Sequence, residues 1–124
     1  MATTLIIAET EDTPKVVLDA ENGIFEISKR SLPEDSTHFF SPVMEWISDY
    51  SLSPNAKTNF VFKLEYFNTA SAKQILKILS LLEKLSGKSE VSVIWHYEKE
   101  DLDMKSSGER YSKLVNVKIL LEEI

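Results

Sequence analysis

The sequence predicts a single α/β domain: a mixed β-sheet with an N-terminal hairpin, a βαβ unit and helices packed on the sheet. One observation is a pair of apolar, β-branched segments on either side of Asn22-Gly23, a dipeptide that accepts the positive φ of a tight hairpin turn. A second is a strand, an amphipathic helix and another strand with short connections between Phe60 and Tyr97. That order is typical of a right-handed βαβ unit, whose two strands are parallel.

The composition narrows the class of protein. A chain of 124 residues with 43% hydrophobic and 27% charged side chains predicts one domain over residues 1–124, with a core that removes about two-thirds of the surface from water. The net charge of −6 argues against nucleic acid or an anionic membrane as a partner, since both require a basic face. The lack of cysteine excludes disulfides and thiolate chemistry and is typical of a cytoplasmic protein.

The N-terminal segment, residues 1–12, carries no strong pattern. Its apolar run, residues 5–8, has no basic region before it and is far shorter than a signal peptide or a membrane span of about 20 residues. We expect this segment to be extended or loosely ordered.

The hairpin comes first, with strands over Lys15–Asp19 and residues 24–28. Helical signals follow from Glu34, where Pro and acidic side chains suit the first turn of a helix. Because Pro42 lacks the N–H that a helix interior requires, we expect two pieces, one over residues 34–40 and one from the N-cap Ser41 to Tyr50. A loop is predicted over residues 51–59.

The segment over residues 60–67 is rich in aromatic and β-branched side chains and predicts a central strand. The helix after it, residues 72–85, has a continuous apolar stripe that includes Ile75, Leu79 and Leu82, and Ser86-Gly87 marks its end. Alternating apolar residues predict a strand over Glu90–Tyr97. The remaining expectations are a polar loop over residues 98–107, a short helix over 108–114 and an edge strand over 117–121.

No residue pattern predicts catalysis. His38 and His96 have no neighbours at metal-ligand spacing, and the acidic run after Tyr97 lacks the glycine and the closing glutamate of a calcium loop. With three glycines in the chain, a glycine-rich phosphate loop cannot be built. We therefore expect no enzyme activity, metal, cofactor or small-molecule substrate.

The segment Asn68-Thr69-Ala70-Ser71 joins the predicted central strand to the long helix. Asn68 or Thr69 fits a helix N-cap, and capping alone accounts for the hydroxyl side chains. A hydroxyl at this position is also suited to phosphorylation, because free N–H groups and the helix dipole favour added negative charge. Lys73, one turn along, can pair with a phosphate or with an acidic group of a partner.

Six segments resemble the SiaC family of bacterial regulatory phosphoproteins. They read TPKVVLD, GIFEISKRSLPED, FFSPVMEWISDY, LEYFNTASAK, and VIWHYEKED followed by GERYSKLV, and they extend from Thr13 to Val115. The resemblance implies a cytoplasmic partner-switching protein with a fold like that of anti-sigma-factor antagonists (the STAS fold). It also implies three kinds of protein partner: a serine/threonine kinase, a phosphatase of the protein phosphatase 2C type, and a downstream target.

In the best-known system of the family the unphosphorylated form activates a diguanylate cyclase, which feeds cyclic-di-GMP signalling and biofilm formation. The family's phosphoacceptor falls in YFNTASAK, which implies Thr69, with Ser71 as the second candidate and Asn68, Ala70 and Lys73 as neighbours of the switch. The alternative is a constitutive protein-interaction or assembly module without a phosphorylation switch.

Overall fold

The computed structural model describes residues 3–124 and contains a six-stranded sheet in the order β1-β2-β3-β4-β5-β6. The strands are β1 (Leu5–Ile7), β2 (Lys15–Asp19), β3 (Ile24–Ser31), β4 (Lys57–Phe67), β5 (Glu90–Tyr97) and β6 (Lys118–Glu123). The pairs β1–β2 and β2–β3 are antiparallel, whereas β3–β4, β4–β5 and β5–β6 are parallel. The predicted mixed sheet is therefore confirmed, with β4 inside it.

Three helices complete the fold over the described residues: α1 (Ser36–Tyr50), α2 (Thr69–Leu85) and α3 (Leu102–Leu114). They follow β3, β4 and β5 in turn, and because these strands are parallel, all three helices begin at the same edge of the sheet. Among the residues that connect helices to the sheet, Trp46 of α1 contacts Phe25 and Tyr111 of α3 contacts Trp95.

The hairpin and the βαβ unit are confirmed. Asp19 pairs with Ile24 across the turn, where Gly23 has a φ of +67°, a conformation that glycine adopts without steric cost. Within α2 the predicted face is buried, with Ile75 and Leu79 at 0% exposure and Leu82 at 1%. Burial of that stripe, more than helix propensity, stabilises α2.

The prediction of two helical pieces around Pro42 is wrong, since α1 is continuous from Ser36 to Tyr50. Asp35 is the N-cap and accepts a hydrogen bond from the His38 N–H at 3.1 Å. Pro42 removes the donor that the carbonyl of His38 would use, but His38 is exposed and water can solvate that carbonyl. The buried side of α1, with Phe40 and Val43 at 0% exposure, offsets the lost bond.

The prediction of a loop over residues 98–107 is correct for residues 98–101 and wrong from Leu102, where α3 begins. Asp101 caps it by accepting the Met104 N–H at 3.0 Å, and Met104 is buried. Gly108, which was expected to begin a short helix, lies in the middle of α3.

Smaller differences concern strand ends. β4 begins at Lys57, inside the expected loop, because it pairs with Glu90 of β5. The predicted edge strand is present as β6. Leu5–Ile7, in the segment expected to be extended or loosely ordered, forms β1 on the edge of β2; residues 1 and 2 lie outside the described residues. No helix within residues 3–124 has the length and apolar character of a membrane span.

Candidate functional site

The junction between β4 and α2 is built around Asn68. Its backbone is extended, with φ −84° and ψ 173°, and its Oδ1 accepts a hydrogen bond from the Ser71 N–H at 2.8 Å. Its N–H donates to the carbonyl oxygen of Ser31 at 3.0 Å, and its own carbonyl accepts the Ala72 N–H at 2.9 Å. Asn68 is therefore the N-cap of α2, one of the two caps that the sequence allowed.

Thr69 is the first residue of α2 and is exposed, as expected of an accessible hydroxyl at this junction. Its hydroxyl makes no hydrogen bond within residues 3–124. Phe67, two residues earlier, packs against the core with its ring 6.0 Å from that of Trp95. Within two residues, therefore, the chain passes from a half-buried ring packed against the core to an exposed hydroxyl without a hydrogen bond.

Ser71, the second candidate, is in a different environment. It is 0% exposed, its Oγ donates to the Ser31 carbonyl at 3.1 Å, and its Oγ lies 2.8 Å from Ser31 Oγ. Because a hydroxyl has one proton, Ser31 Oγ is the donor in the second bond. In this conformation the Ser71 oxygen connects α2 to the end of β3 and is closed to an enzyme.

The exposed residues next to Thr69 form what we call the junction surface: Tyr66, Thr69, Ala70 and Lys73. Tyr66 is 52% exposed, and the Lys73 ammonium makes no ion pair within the described chain. The N–H groups of Thr69 and Ala70 precede those used by the Asn68 cap. They lie at the positive end of the helix dipole, where an anion is favoured.

Two residues at the junction were not predicted from the sequence. Ser31 lies at the end of β3 and pairs with Phe67 of β4, a proximity that depends on the register of two strands far apart in the chain. Tyr111 lies on α3 and donates its hydroxyl to the carbonyl of Ala72 at 2.8 Å. Tyr111 lies in GERYSKLV, one of the segments that carry the family resemblance, but nothing in that segment indicates a contact with α2.

Within residues 3–124 there is no group of three or more His, Cys, Asp or Glu side chains suited to a metal ion. His38 is exposed, and His96 has Glu122 as its acidic neighbour, with Nδ1 and Oε1 3.9 Å apart.

Comparison with known proteins gives the relatives of this chain. Residues 7–124 match the family described as SiaC family regulatory phosphoprotein. An uncharacterized protein of Pseudomonas aeruginosa (strain UCBPP-PA14) is 30% identical over 108 residues, which cover 86% of each chain.

Solved structures of SiaC from Pseudomonas aeruginosa have the same fold. Apo-SiaC is 26% identical, with a TM-score of 0.87 over 97% of this chain and 98% of that chain. In the crystal structure of the diguanylate cyclase SiaD in complex with its activator SiaC, the matching chain is 26% identical, with a TM-score of 0.90 over 97% of this chain and 99% of that chain. With a family match over residues 7–124 and the same arrangement of strands and helices, this chain belongs to the SiaC family of regulatory phosphoproteins.

Proposed function

We propose that this chain is a non-catalytic signalling phosphoprotein of the cytoplasm whose binding to a target protein is switched by reversible phosphorylation of Thr69. A serine/threonine kinase adds the phosphate and a phosphatase of the protein phosphatase 2C type removes it. The observation that carries the proposal is the contrast at the junction: the Thr69 hydroxyl is exposed and unbonded, whereas Ser71 is 0% exposed and bonded to Ser31.

The proposed switch changes the charge of the junction surface and leaves the fold intact. A phosphate adds a charge of about −1.5 to −2 at neutral pH. At the start of α2 that charge lies near the N–H groups of the first turn and the exposed Lys73, so the helix tolerates it. None of the hydrogen bonds that hold the junction uses the Thr69 side chain. Phosphorylation therefore acts on a docking partner through charge and size at the surface.

We further propose that the target is a diguanylate cyclase, which makes this chain a component of cyclic-di-GMP signalling and biofilm control. Support comes from the similar chain of Pseudomonas aeruginosa SiaC, crystallised in complex with the cyclase SiaD, whose activator it is. Because the identity is 26%, we carry over to this chain only the class of partner and not the particular cyclase. The partner to test is a diguanylate cyclase of the native host.

The first experiment locates the modification. Protein isolated from the native host is measured by intact mass and then fragmented. We expect a fraction heavier by one phosphate, carried on Thr69. A Thr69→Ser variant keeps an acceptor hydroxyl and stays modified, whereas Thr69→Ala removes the heavier species. A phosphate that persists in Thr69→Ala would contradict the assignment.

The second experiment measures docking. Thr69→Ala behaves as the permanently unphosphorylated form and binds the target, a diguanylate cyclase from the native host, at least as tightly as wild type. Thr69→Asp supplies one charge instead of nearly two and loses part of the affinity. If the two variants bind within about 0.3 kcal/mol, less than a twofold difference in affinity, charge at residue 69 does not control docking. A chain that binds its target equally in every form is a constitutive interaction module.

A further inference from the structure

The first turn of α2 is held from two sides. On the side of β3, Ser71 bonds to Ser31. On the side of α3, the Tyr111 hydroxyl donates to the Ala72 carbonyl at 2.8 Å, although the two residues are 39 positions apart in the chain. The Ala72 N–H, in turn, closes the first turn on the Asn68 carbonyl at 2.9 Å. Tyr111 therefore holds the turn that carries Thr69.

Close packing of α3 on β5 brings Tyr111 to this position. Trp95 of β5 is 0% exposed and donates its Nε1–H to the Met104 carbonyl of α3 at 2.9 Å. The rings of Trp95 and Tyr111 lie 5.5 Å apart. At Gly108 the helix comes so near the strand that a Cβ atom there would be 2.5 Å from Trp95 Cδ1. The position of the Tyr111 hydroxyl is thus fixed by a tightly packed helix.

Burial keeps this hydroxyl a donor. Tyr111 is 7% exposed, and burial raises its pKa to about 12, so the phenol stays protonated throughout the physiological range. A buried hydroxyl also requires a partner, because one left without a hydrogen bond is destabilising. The Ala72 carbonyl, whose second lone pair is not needed by the helix, fills that requirement.

We infer that Tyr111 is a positioning residue for phosphorylation: it holds the first turn of α2 in the form that the kinase recognises and thereby makes α3 part of the substrate surface. This inference rests on the proposed function of Thr69. A turn that is already ordered loses little conformational entropy when an enzyme binds it. Without the Tyr111 bond the turn fluctuates more and the kinase must order it, which weakens binding and leaves the chemical step unchanged.

The test compares Tyr111→Phe with Tyr50→Phe. Both changes keep a buried ring and remove one hydroxyl. The Tyr50 hydroxyl bonds to Thr58 at 2.7 Å and accepts the Asn55 N–H at 3.1 Å. Both partners lie at or before the start of β4, whereas α2 begins beyond its end. Tyr50→Phe therefore controls for a general loss of stability.

Amide hydrogen exchange measures how often the first turn of α2 opens. The Ser71 and Ala72 amides, both bonded to Asn68, report its opening, and the Leu79 amide reports the middle of α2. In Tyr111→Phe we expect the Ser71 and Ala72 amides to exchange about fivefold faster relative to Leu79, the effect of one ordinary hydrogen bond. In Tyr50→Phe that ratio stays at the wild-type value. An unchanged ratio in Tyr111→Phe would overturn the inference.

Phosphorylation kinetics complete the test, with the kinase activity enriched from the native host. Tyr111→Phe should raise KM about two- to fivefold with kcat unchanged, and Tyr50→Phe should change neither. If Tyr111→Phe and wild type have equal KM and kcat and both are phosphorylated on Thr69, the role of Tyr111 is refuted, but the proposed function is not. A wild-type chain that takes no phosphate on Thr69 refutes the proposed function, and the role of Tyr111 with it.

Discussion

Thr69 and Ser71 show how helix geometry separates two neighbouring hydroxyls. Successive residues of an α-helix are rotated by about 100° around the helix axis. The side chains of residues two positions apart are therefore roughly 200° apart and lie on nearly opposite sides of the helix. Since Ser71 faces the sheet and bonds to Ser31, Thr69 must face solvent. The sequence alone left both residues open as acceptors because it did not define which side of α2 faced the sheet at its first turn.

The two residues at the cap should differ in their effect on stability. Asn68 supplies the capping oxygen, so Asn68→Ala should lower the free energy of unfolding by about 0.5–2 kcal/mol. Thr69→Ala removes a side chain without a hydrogen bond and should stay within about 0.5 kcal/mol of wild type. Denaturant titration of both variants measures the difference. A larger loss from Thr69→Ala than from Asn68→Ala would mean that the threonine is the cap in solution.

Lys29 carries backbone strain near the end of β3. Its φ is +78°, a left-handed conformation that costs a residue with a Cβ atom roughly 1 kcal/mol. The register between β3 and β4 shifts just after it, between Lys29 and Arg30, which marks a β-bulge. The extra residue of the bulge is Glu65 of β4, and the strained Lys29 lies beside it, two residues before Ser31.

Relief of that strain is measurable. Lys29→Gly should be more stable than Lys29→Ala by about 1 kcal/mol, because both remove the same long side chain but only glycine accepts positive φ without cost. Thermal or urea unfolding of the pair gives this value directly. Equal stabilities would indicate that the backbone at residue 29 relaxes to negative φ once the lysine is removed.

Among the elements, α2 was predictable because its apolar stripe is long and unbroken. The irregular features of α1 and α3 hid their true lengths. Pro42 and Gly108 are both poor residues for a helix interior, and in each case tertiary contacts outweigh the local preference. For Gly108 the reason is space, since α3 lies against Trp95 and Leu121, a contact that the local sequence does not reveal.

Gly108→Ala should therefore destabilise the fold despite the better helix propensity of alanine. The new Cβ atom meets Trp95 Cδ1 and Leu121 Cδ2 at 2.5 Å, and overpacking of this kind costs about 1–3 kcal/mol. Gly87→Ala is the matched control, because its Cβ atom has only the Lys84 carbonyl oxygen near it, at 3.7 Å. Calorimetric unfolding should show a loss of stability for Gly108→Ala and none for Gly87→Ala. A neutral Gly108→Ala would mean that α3 can move away from β5 at little cost.

At the scale of the whole molecule, the mixed sheet and the parallel βαβ unit could be anticipated, while contacts between distant segments could not. Chain order and short connections predict which strands are parallel. The bond from Tyr111 to Ala72 and the pair of Ser31 and Ser71 require the exact placement of α3 and β3 against α2. The family resemblance pointed to the segment that holds Thr69 and Ser71, and the fold shows that one hydroxyl is exposed and the other buried.

The stability of the whole fold should depend on the ionisation of Tyr111 in alkali. Its pKa is raised to about 12 by burial, from about 10 in the unfolded chain. The contribution of this pKa shift to the free energy of unfolding is fully present below pH 10. It is lost as the pH rises from 10 to 12, because Tyr111 releases its proton first in the unfolded state. Between pH 9 and 11, wild type should lose about 1 kcal/mol more than Tyr111→Phe. Parallel pH profiles of the two proteins would contradict this assignment.

The position of Trp95 has a practical consequence. The chain has two tryptophans, and Trp46 lies on α1, stacked on Tyr50. Trp95 contacts the rings of both Phe67 and Tyr111, so its indole senses the strand that leads into Thr69 and the helix that holds the turn after it. In a Trp46→Phe background, the fluorescence of this one indole becomes an optical reporter with which the proposed phosphorylation, dephosphorylation and docking can each be followed in the unlabelled protein.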